Sequence, residues 1–293
     1  MKSIYFKRFK NKYLFISIIL LFFVLAISFF VHSGILETLL YDYSDDVSGN
    51  VTEYQIKKNA IDSVLYWEFW IQDGVWYNEN IFPIYAMIAA LPFLLECNTF
   101  FKLGANRFTN RRKELGKSIA SYGLMGGLSI SLGFLLYFLV GSYFCLPTIK
   151  SLGGFESIFH YNLYQHHPFL FLCFMDFTMY FLFGVLFAIM TCGTILCFNH
   201  KLTAIILPMF VYVVGSYIGE GFGIRILQIS SCTTVFCTNY TTGQCFVPLL
   251  SLVIIDGILL ICGVRKNEKI ILKKNTTKGC SSVICHIAWI LTV

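Results

Sequence analysis

Residues 96–117 read ECNTFFKLGANRFTNRRKELGK and form a polar island between two long apolar runs. Six basic side chains lie in this stretch, against the two acidic side chains Glu96 and Glu114. Lys and Arg near the ends of apolar runs resist transfer across a membrane, so a loop rich in them stays on the cytoplasmic side. The pattern predicts a cytoplasmic loop between two spans, and its basic residues are Lys102, Arg107, Arg111, Arg112, Lys113 and Lys117.

The composition of the whole chain also indicates a membrane protein. Of the 293 residues, 57% are hydrophobic and 13% are charged, and this charged fraction is about half that of an ordinary soluble domain. The formal net charge is +6, but the basic residues cluster beside apolar runs, which orients a membrane protein and does not indicate nucleic-acid binding. We therefore expect an all-α polytopic protein of the cell membrane with no nucleic-acid partner.

Six apolar segments have about the length that a helix needs to cross the hydrocarbon core of a bilayer. The first is interpreted as an uncleaved span, because a signal peptide would have a shorter apolar core and a small-residue cleavage site after it. Pro92 in the second segment is expected to kink its helix, since proline removes a backbone hydrogen bond. The predicted spans are 14–32, 80–97, 118–141, 168–198, 202–218 and 246–263.

The basic residues between these spans predict the orientation of the chain. The segments assigned to the inside carry five, six, one and six Lys or Arg residues, whereas those assigned to the outside carry two, one and one. Both termini are therefore expected inside, with residues 1–265 forming one six-span domain. Residues 33–79, which contain nine acids, are expected outside, and 266–293 form a basic cytoplasmic tail. The apolar end of this tail, 279–293, is either an interfacial helix or the start of a further span.

Two of the outside segments have distinctive compositions. The second half of 33–79 contains Trp67, Trp70 and Trp76, and Trp side chains favour the headgroup level of a membrane. This half either lies along the outer membrane face or forms a lid that contacts a substrate, and the interfacial position is preferred. Residues 219–245 are interrupted by glycine and form either a re-entrant pair of short helices or an ordinary external loop.

The basic loop has two interpretations. In the first, the loop only fixes the orientation of the chain. In the second, it holds a short helix that docks into a soluble partner. Asn106 or Asn110 is suited to cap such a helix, and Phe108 and Leu115 would lie on one side of it. The candidate coupling residues are Glu96, Arg107, Phe108, Arg111, Arg112, Lys113 and Leu115.

The predicted spans contain two further patterns. Gly123, Gly127 and Ser131 recur every fourth residue, which predicts a smooth helix face where a second helix packs closely. Asp176 and Asp256 lie inside predicted spans, and a carboxylate at membrane depth faces the protein interior or a cavity because lipid cannot solvate it. For Asp176 the preferred interpretation is a structural hydrogen bond or a position close enough to the outer interface to contact water. Asp256 is equally compatible with a structural role and with a place on a translocation pathway.

No catalytic motif is present, because the chain lacks G-x-S-x-G, H-E-x-x-H and the phosphate-binding G-x-x-x-x-G-K-[ST]. The eleven cysteines include no C-x-x-C pair. We expect no enzyme activity, no cofactor and no metal site. Cys232, Cys237 and Cys245 lie in a predicted external segment that permits a disulfide, but the sequence does not select a pair.

The stretch 78–120 reads NENIFPIYAMIAALPFLLECNTFFKLGANRFTNRRKELGKSIA and resembles the coupling region of the permease subunits of bacterial type-2 ABC exporters. The similarity is greatest to those linked to peptide-antibiotic export or immunity. An apolar span ends in an acidic residue and is followed by a Gly-containing stretch and an Arg-rich patch. Six spans with both ends inside, and a Gly-broken segment before the last span, are also similar. The resemblance covers about 1–265, although the acidic segment after the first span is longer than in the plainest members.

The resemblance implies that two permease copies, identical or different, pair with two ABC-type ATPase subunits. The ATPase would hold the loop from Arg107 to Lys117, and its closure would open a path outward for an apolar or amphipathic substrate. ATP hydrolysis would then occur on the partner. The main alternative is a stand-alone immunity or regulatory protein that binds a partner within the bilayer, followed by an integral membrane enzyme.

Overall fold

The computed structural model describes residues 12–46, 51–76, 82–94, 111–146, 166–232 and 246–266. Within these ranges the chain is helical and contains no β-strand, and one isolated parallel β-bridge joins Tyr66 to Leu146. The α-helices of these ranges are α1 (Lys12–His32), α2 (Ile35–Leu40), α3 (Glu53–Val64), α4 (Trp67–Ile71), α5 (Phe82–Leu94), α6 (Arg111–Phe144), α7 (Pro168–Met175), α8 (Phe181–Phe198), α9 (Lys201–Gly221) and α10 (Phe246–Lys266).

Five helical segments in the described part of the chain are long and apolar enough to cross a membrane. The predicted class, an all-α polytopic membrane protein, is confirmed. The predicted second span, 80–97, extends past both ends of α5 into residues outside the described ranges, and the apolar helix described there, Pro83–Leu94, is shorter than a full span. The five segments are Lys12–His32, Glu114–Phe144, Phe169–Phe198, Lys201–Gly221 and Phe246–Lys266.

Helix α6 is a continuous helix of 34 residues that includes basic residues at its start. Its first turns read RRKELGK, in which Arg, Lys, Glu and Leu all have high helix propensity. Lys117 donates a hydrogen bond to Glu114 one turn before it, with the ammonium nitrogen 3.0 Å from the carboxylate oxygen. The helix that forms the third span therefore begins at Arg111, well before the predicted boundary at Ser118.

The fourth span is made of two α-helices joined by a π-helical turn. Helix α7 continues without a break into the turn Asp176–Tyr180, and this turn continues into α8. Helix α8 ends at Asn199, whose φ of 54° places it in the left-handed region that commonly terminates helices. The chain then enters α9 within two residues, so α8 and α9 are antiparallel neighbours.

The interior of the bundle divides into two clusters at opposite ends. One cluster, here called the aromatic end, is built around the buried rings of Phe29, Trp70, Phe134, Tyr137 and Tyr180. The second, here called the basic end, is mainly aliphatic and lies near the helix ends that carry the basic residues. It contains Leu14, Ala90, Phe93, Leu94, Ile119, Tyr122, Met125, Cys192, Ile195, Leu196 and Ala204.

The segment from Tyr66 to Trp76 enters the aromatic end of the bundle. It comprises α4 and the π-helical turn Gln72–Trp76, which contacts α1. Trp70 is 2% exposed and Ile71 is fully buried. The position of this stretch along the outer membrane face stays a prediction, but the side chains of Trp67 and Trp70 are buried within the bundle.

The segment after α9 folds back along that helix. Two short 3-10 turns, Arg225–Leu227 and Ile229–Cys232, follow α9. The backbone N–H of Ser230 donates to Oγ of Ser216 in α9 at 2.9 Å. The remainder of the predicted re-entrant segment, 233–245, lies outside the described residues.

Candidate functional site

The basic start of α6 is the first candidate site. Helix α6 places the backbone of Arg111, Arg112 and Lys113 in its first turn, directly ahead of the part that crosses the bundle. Glu96, Arg107 and Phe108, which complete the predicted coupling set, lie outside the described residues. The structure shows that residues 111–117 of the predicted coupling segment belong to the same helix as the third span.

Leu115, a predicted coupling residue, is partly covered by its own chain. It is half-buried and packs against the cluster at the basic end of its own chain. Only part of its surface therefore remains available to a docked partner. The exposed charged positions next to it are Lys117, with 41% of its side chain exposed, and Glu114, with 47%.

The small residues of α6 lie against α8. A Cβ atom added to Gly123 would come within 3.0 Å of the Ile189 side chain, and one added to Gly127 would come within 2.9 Å of the Phe181 carbonyl oxygen. A Cβ atom added to Gly126, which lies between them, would come within 2.8 Å of the Gly184 carbonyl oxygen. Backbone therefore packs directly on backbone, a contact that any larger side chain would disrupt.

Asp176 lies at the start of the π-helical turn and faces α6. The side chain is fully buried, and Oδ2 accepts a hydrogen bond of 3.1 Å from Oγ of Ser131. This is the structural hydrogen bond that the sequence predicts for Asp176. The other carboxylate oxygen, Oδ1, has no hydrogen-bond partner within the described part of the chain. The third member of the small-residue pattern, Ser131, thus serves as a donor as well as a packing residue.

Asp256 is the second buried carboxylic acid of the spans. It is 4% exposed in α10, and neither carboxylate oxygen has a hydrogen-bond partner among the described residues. Its electrostatic neighbour is the buried thiol of Cys192 in α8. Because a buried polar group without a partner is costly, Asp256 is the position in the described core with the clearest capacity to bind something else.

The aromatic end contains a network that holds the inserted segment in place. Trp70 and Tyr137 exchange two hydrogen bonds: the indole N–H donates to the Tyr137 carbonyl at 3.1 Å, and the Tyr137 hydroxyl donates to the Trp70 carbonyl at 2.7 Å. Their rings stack with centroids 4.3 Å apart. Oγ of Ser28 in α1 donates to the Asp73 carbonyl at 2.7 Å. These bonds join the inserted segment to α6 and to α1.

Asp73 is the titratable side chain of this inserted turn. Its carboxyl is 7% exposed, and burial raises its pKa from 3.8 to about 6, while the nearby His32 acts in the opposite direction. Burial disfavours the charged carboxylate because the protein interior solvates it less well than water. Asp73 therefore titrates closer to neutrality than an ordinary aspartate.

Sequence reasoning did not predict that the inserted segment packs inside the bundle. Its signal was available in part, because Gly74 and Gly141 are both glycines next to large rings: Gly74 lies against the Tyr137 ring and Gly141 against the Trp70 ring. Glycine within a strongly aromatic sequence indicates close packing as well as a loop. Among the described residues, no group of three or more His, Cys, Asp or Glu side chains could hold a metal ion.

Comparisons with known proteins give no relative. No family model, no curated protein and no solved structure matches this chain.

Proposed function

We propose that this chain is the membrane-spanning permease subunit of an exporter driven by a separate ABC-type ATPase. The observation that carries the proposal is the continuity of α6, which joins Arg111 to the glycine contacts with α8 in one unbroken helix. A force applied by a partner at the first turn would act on the core through a rigid rod. From Arg111 to Gly126 this rod is about 22 Å long, at 1.5 Å for each helical residue.

The close packing of α6 on α8 would transmit a displacement of α6 to the rest of the bundle. Because Gly126 and Gly184 bring the two backbones together, α6 cannot slide or rotate without moving α8 or separating from it. Helix α8 is in turn linked to α10: the Cys197 thiol donates to the Leu259 carbonyl at 3.1 Å, and Lys266 donates to the Cys197 carbonyl at 2.6 Å. Movement of α6 would therefore reach the helix that carries Asp256.

In this proposal Asp256 lines the translocation pathway when the helices separate, and its uncompensated carboxyl contacts the passing substrate. The cargo is apolar or amphipathic, as expected for a path between apolar helices. Two permease copies, identical or different, would form the complete pathway with two ATPase subunits. The chain itself would have no enzyme activity.

The charge distribution supports a cell-membrane orientation with both termini inside. Lys12, Lys117, Lys201 and Lys266 are all at the basic end, whereas the acid-rich stretch Glu37–Asp73 leads into the aromatic end. Lys and Arg favour the cytoplasmic side. This orientation presents the start of α6 to a cytoplasmic ATPase.

Co-purification from the native host tests the proposal. The tagged protein is extracted in mild detergent, and every co-purifying subunit is identified and quantified. We expect a stoichiometric ATPase with the wild type, and loss of it in the double variant Arg111→Glu/Arg112→Glu. The matched control is Lys57→Glu/Lys58→Glu, which reverses two basic residues of α3 at the opposite end and should retain the ATPase.

Charge reversal near a span can also change membrane orientation, so each variant carries a fluorescent-protein fusion at its C-terminus that fluoresces only inside the cell. A variant that keeps its fluorescence and loses the ATPase places the coupling contact at α6. Retention of the ATPase by the reversed variant would exclude that contact. A pure preparation without any ATPase, from cells that express one, would instead favour a stand-alone immunity or regulatory protein.

A further inference from the structure

A small cleft opens beside the end of α9, at the aromatic end of the bundle. Its volume is about 160 Å³, and it lies between the start of α5 at Pro83, the last turns of α9 and the fold-back that follows α9. Tyr212, Tyr217 and Glu220 are among the residues that line it. The cleft is separate from the start of α6 and from both buried carboxylic acids.

Two glycines of α9 shape one wall of this cleft. A Cβ atom on Gly219 would come within 2.6 Å of Cα of Gln228, and one on Gly215 would come within 3.1 Å of the Leu227 carbonyl oxygen. The fold-back can lie flat on α9 because both positions lack a side chain. The wall is also fixed by the hydrogen bond from the Ser230 N–H to Ser216.

The two tyrosine side chains differ in how far they are buried. Tyr212 is 3% exposed and contacts two rings, Phe183 edge-on with centroids 6.1 Å apart and Phe187 at a tilt with centroids 6.3 Å apart. Tyr217 is 70% exposed and belongs to the cleft's outer edge. Aromatic rings such as these, together with a carboxylate, are groups that bind organic ammonium ions in proteins.

Glu220 does not stabilise the helix that carries it. It lies in the last turn of α9, where the partial negative charge of the helix end repels a carboxylate. It is exposed, and within the described residues no Lys, Arg or His forms an ion pair with it. The charge at the edge of the cleft is therefore available to a cation from outside the chain.

From this geometry we infer that the cleft binds an organic ammonium group, with Glu220 as its counter-ion and Tyr212 and Tyr217 as its aromatic walls. The volume suits a trimethylammonium or ethanolammonium group but not a large cation. Such a group is supplied by the headgroup of a zwitterionic lipid or by a free amine or quaternary ammonium compound. This binding does not depend on ATPase coupling, because the described residues that line the cleft lie apart from the start of α6.

The test measures equilibrium binding of radiolabelled choline to the purified full-length protein in a maltoside detergent, which carries no ammonium group. Competition by unlabelled choline is compared with competition by its neutral carbon isostere. We expect choline to bind saturably and the neutral isostere to compete at least ~10-fold more weakly. The variant Glu220→Gln should weaken choline binding by ~10-fold or more, since it removes the charge and keeps the size.

The matched control is Glu53→Gln, which neutralises another exposed acid at the start of α3 and should leave choline binding unchanged. A second variant, Tyr217→Ala, should weaken binding without affecting the fold, because that ring is mostly exposed. Equal competition by the neutral isostere, unchanged binding in Glu220→Gln, or no choline binding to the wild type would each overturn the inference.

Nanodiscs distinguish the two sources of the ammonium group. Native mass spectrometry counts lipids retained by the wild type and by Glu220→Gln from nanodiscs of phosphatidylethanolamine or of phosphatidylglycerol. Selective retention of phosphatidylethanolamine by the wild type, with loss of choline binding in that lipid, identifies a headgroup site. Equal choline binding in both lipids identifies a site for a free cation.

Discussion

At the aromatic end of the bundle, helices are joined through stacked rings and directional hydrogen bonds, whereas at the basic end they meet mainly through aliphatic side chains. Trp70 stacks on Tyr137 and also lies 4.5 Å from the Phe29 ring, centroid to centroid. At the opposite end, Leu14 and Ile195 share a cluster with small residues such as Ala90 and Ala204. The two ends therefore resist displacement in different ways.

The difference predicts which end would shift more easily if a force acted on α6. A pair of hydrogen bonds between two stacked rings fixes both distance and angle, so displacement breaks several interactions together. Aliphatic contacts are non-directional, and packed aliphatic surfaces can shift over one another at smaller cost. A partner that pushes on the start of α6 would act on the end with the softer contacts, while the aromatic end holds its geometry.

The largest expected effect is that of Trp70→Ala. This ring is 2% exposed and has three aromatic neighbours, Phe29, Tyr137 and Phe144. Removing a buried ring of this size costs about 3–5 kcal/mol of unfolding free energy. Unfolding in detergent or bicelles measures it, with Phe30→Ala as the control, because Phe30 is on the same helix turn as Phe29 but is 44% exposed. Equal losses in the two variants would mean that the inserted segment does not secure this end.

A smaller effect is expected for Gly126→Leu, at the contact that links the two ends. The added side chain would be driven into the carbonyl oxygens of Ala89 and Gly184, each 2.8 Å from the first added carbon. Overpacking of this kind costs about 1–3 kcal/mol. The thermal unfolding midpoint measures the loss.

The control for this variant is Gly257→Leu in α10, where nothing lies within 4 Å of an added Cβ. This change should leave the free energy of unfolding within about 0.5 kcal/mol of the wild-type value. If both variants lost stability alike, the close approach of α6 and α8 would not be what holds these helices.

The smallest effect is a pH dependence at Asp73. Its pKa is raised from 3.8 to about 6 by burial, so the folded protein holds this proton more tightly than the unfolded chain. The stabilising contribution is fully present below pH 3.8 and is lost as the pH rises through about 6. Because solvent screens a carboxyl that is still partly accessible, the loss over this whole window totals about 1 kcal/mol. Asp73→Asn should remove this part of the profile, measured as the difference in stability between variant and wild type.

Asp42 provides a control of opposite sign. Its pKa is lowered from 3.8 by the hydrogen bond that its carboxylate accepts from the backbone N–H of Ser44. Its contribution is therefore present at higher pH and is lost as the pH falls below 3.8. If Asp73→Asn and Asp42→Asn changed the profile in the same direction, burial would not be the cause at Asp73.

The positions of the five spans found in the described residues could be predicted from sequence because they depend on composition and length, which are local properties. The close approach of α6 and α8 was also accessible, since the spacing of Gly123, Gly127 and Ser131 repeats with the helix. The packing of the inserted segment could not be predicted, because the composition of this segment is the same whether Trp67 and Trp70 face headgroups or other rings. The choice depends on Tyr137, a residue distant in sequence, and local patterns carry no information about such pairs.

The candidate site was only partly accessible for the same reason. Asp256 was identified from its place in an apolar run, but its neighbour Cys192 comes from another helix. The cleft at Glu220 depends on the fold-back after α9, whose path is determined by contacts of Gly215 and Gly219 with the returning chain. The spacing of the two glycines indicates close packing but does not show which segment packs there.

The bond between Trp70 and Tyr137 also constrains the order in which the protein is assembled. The two residues are 67 positions apart, and the β-bridge from Tyr66 ends at Leu146, after the last residue of α6. A ribosome that has completed α1 and the inserted segment has not yet produced the helix to which that segment binds. The segment must therefore wait at the membrane surface during synthesis, and it can enter the bundle only after α6 has been integrated.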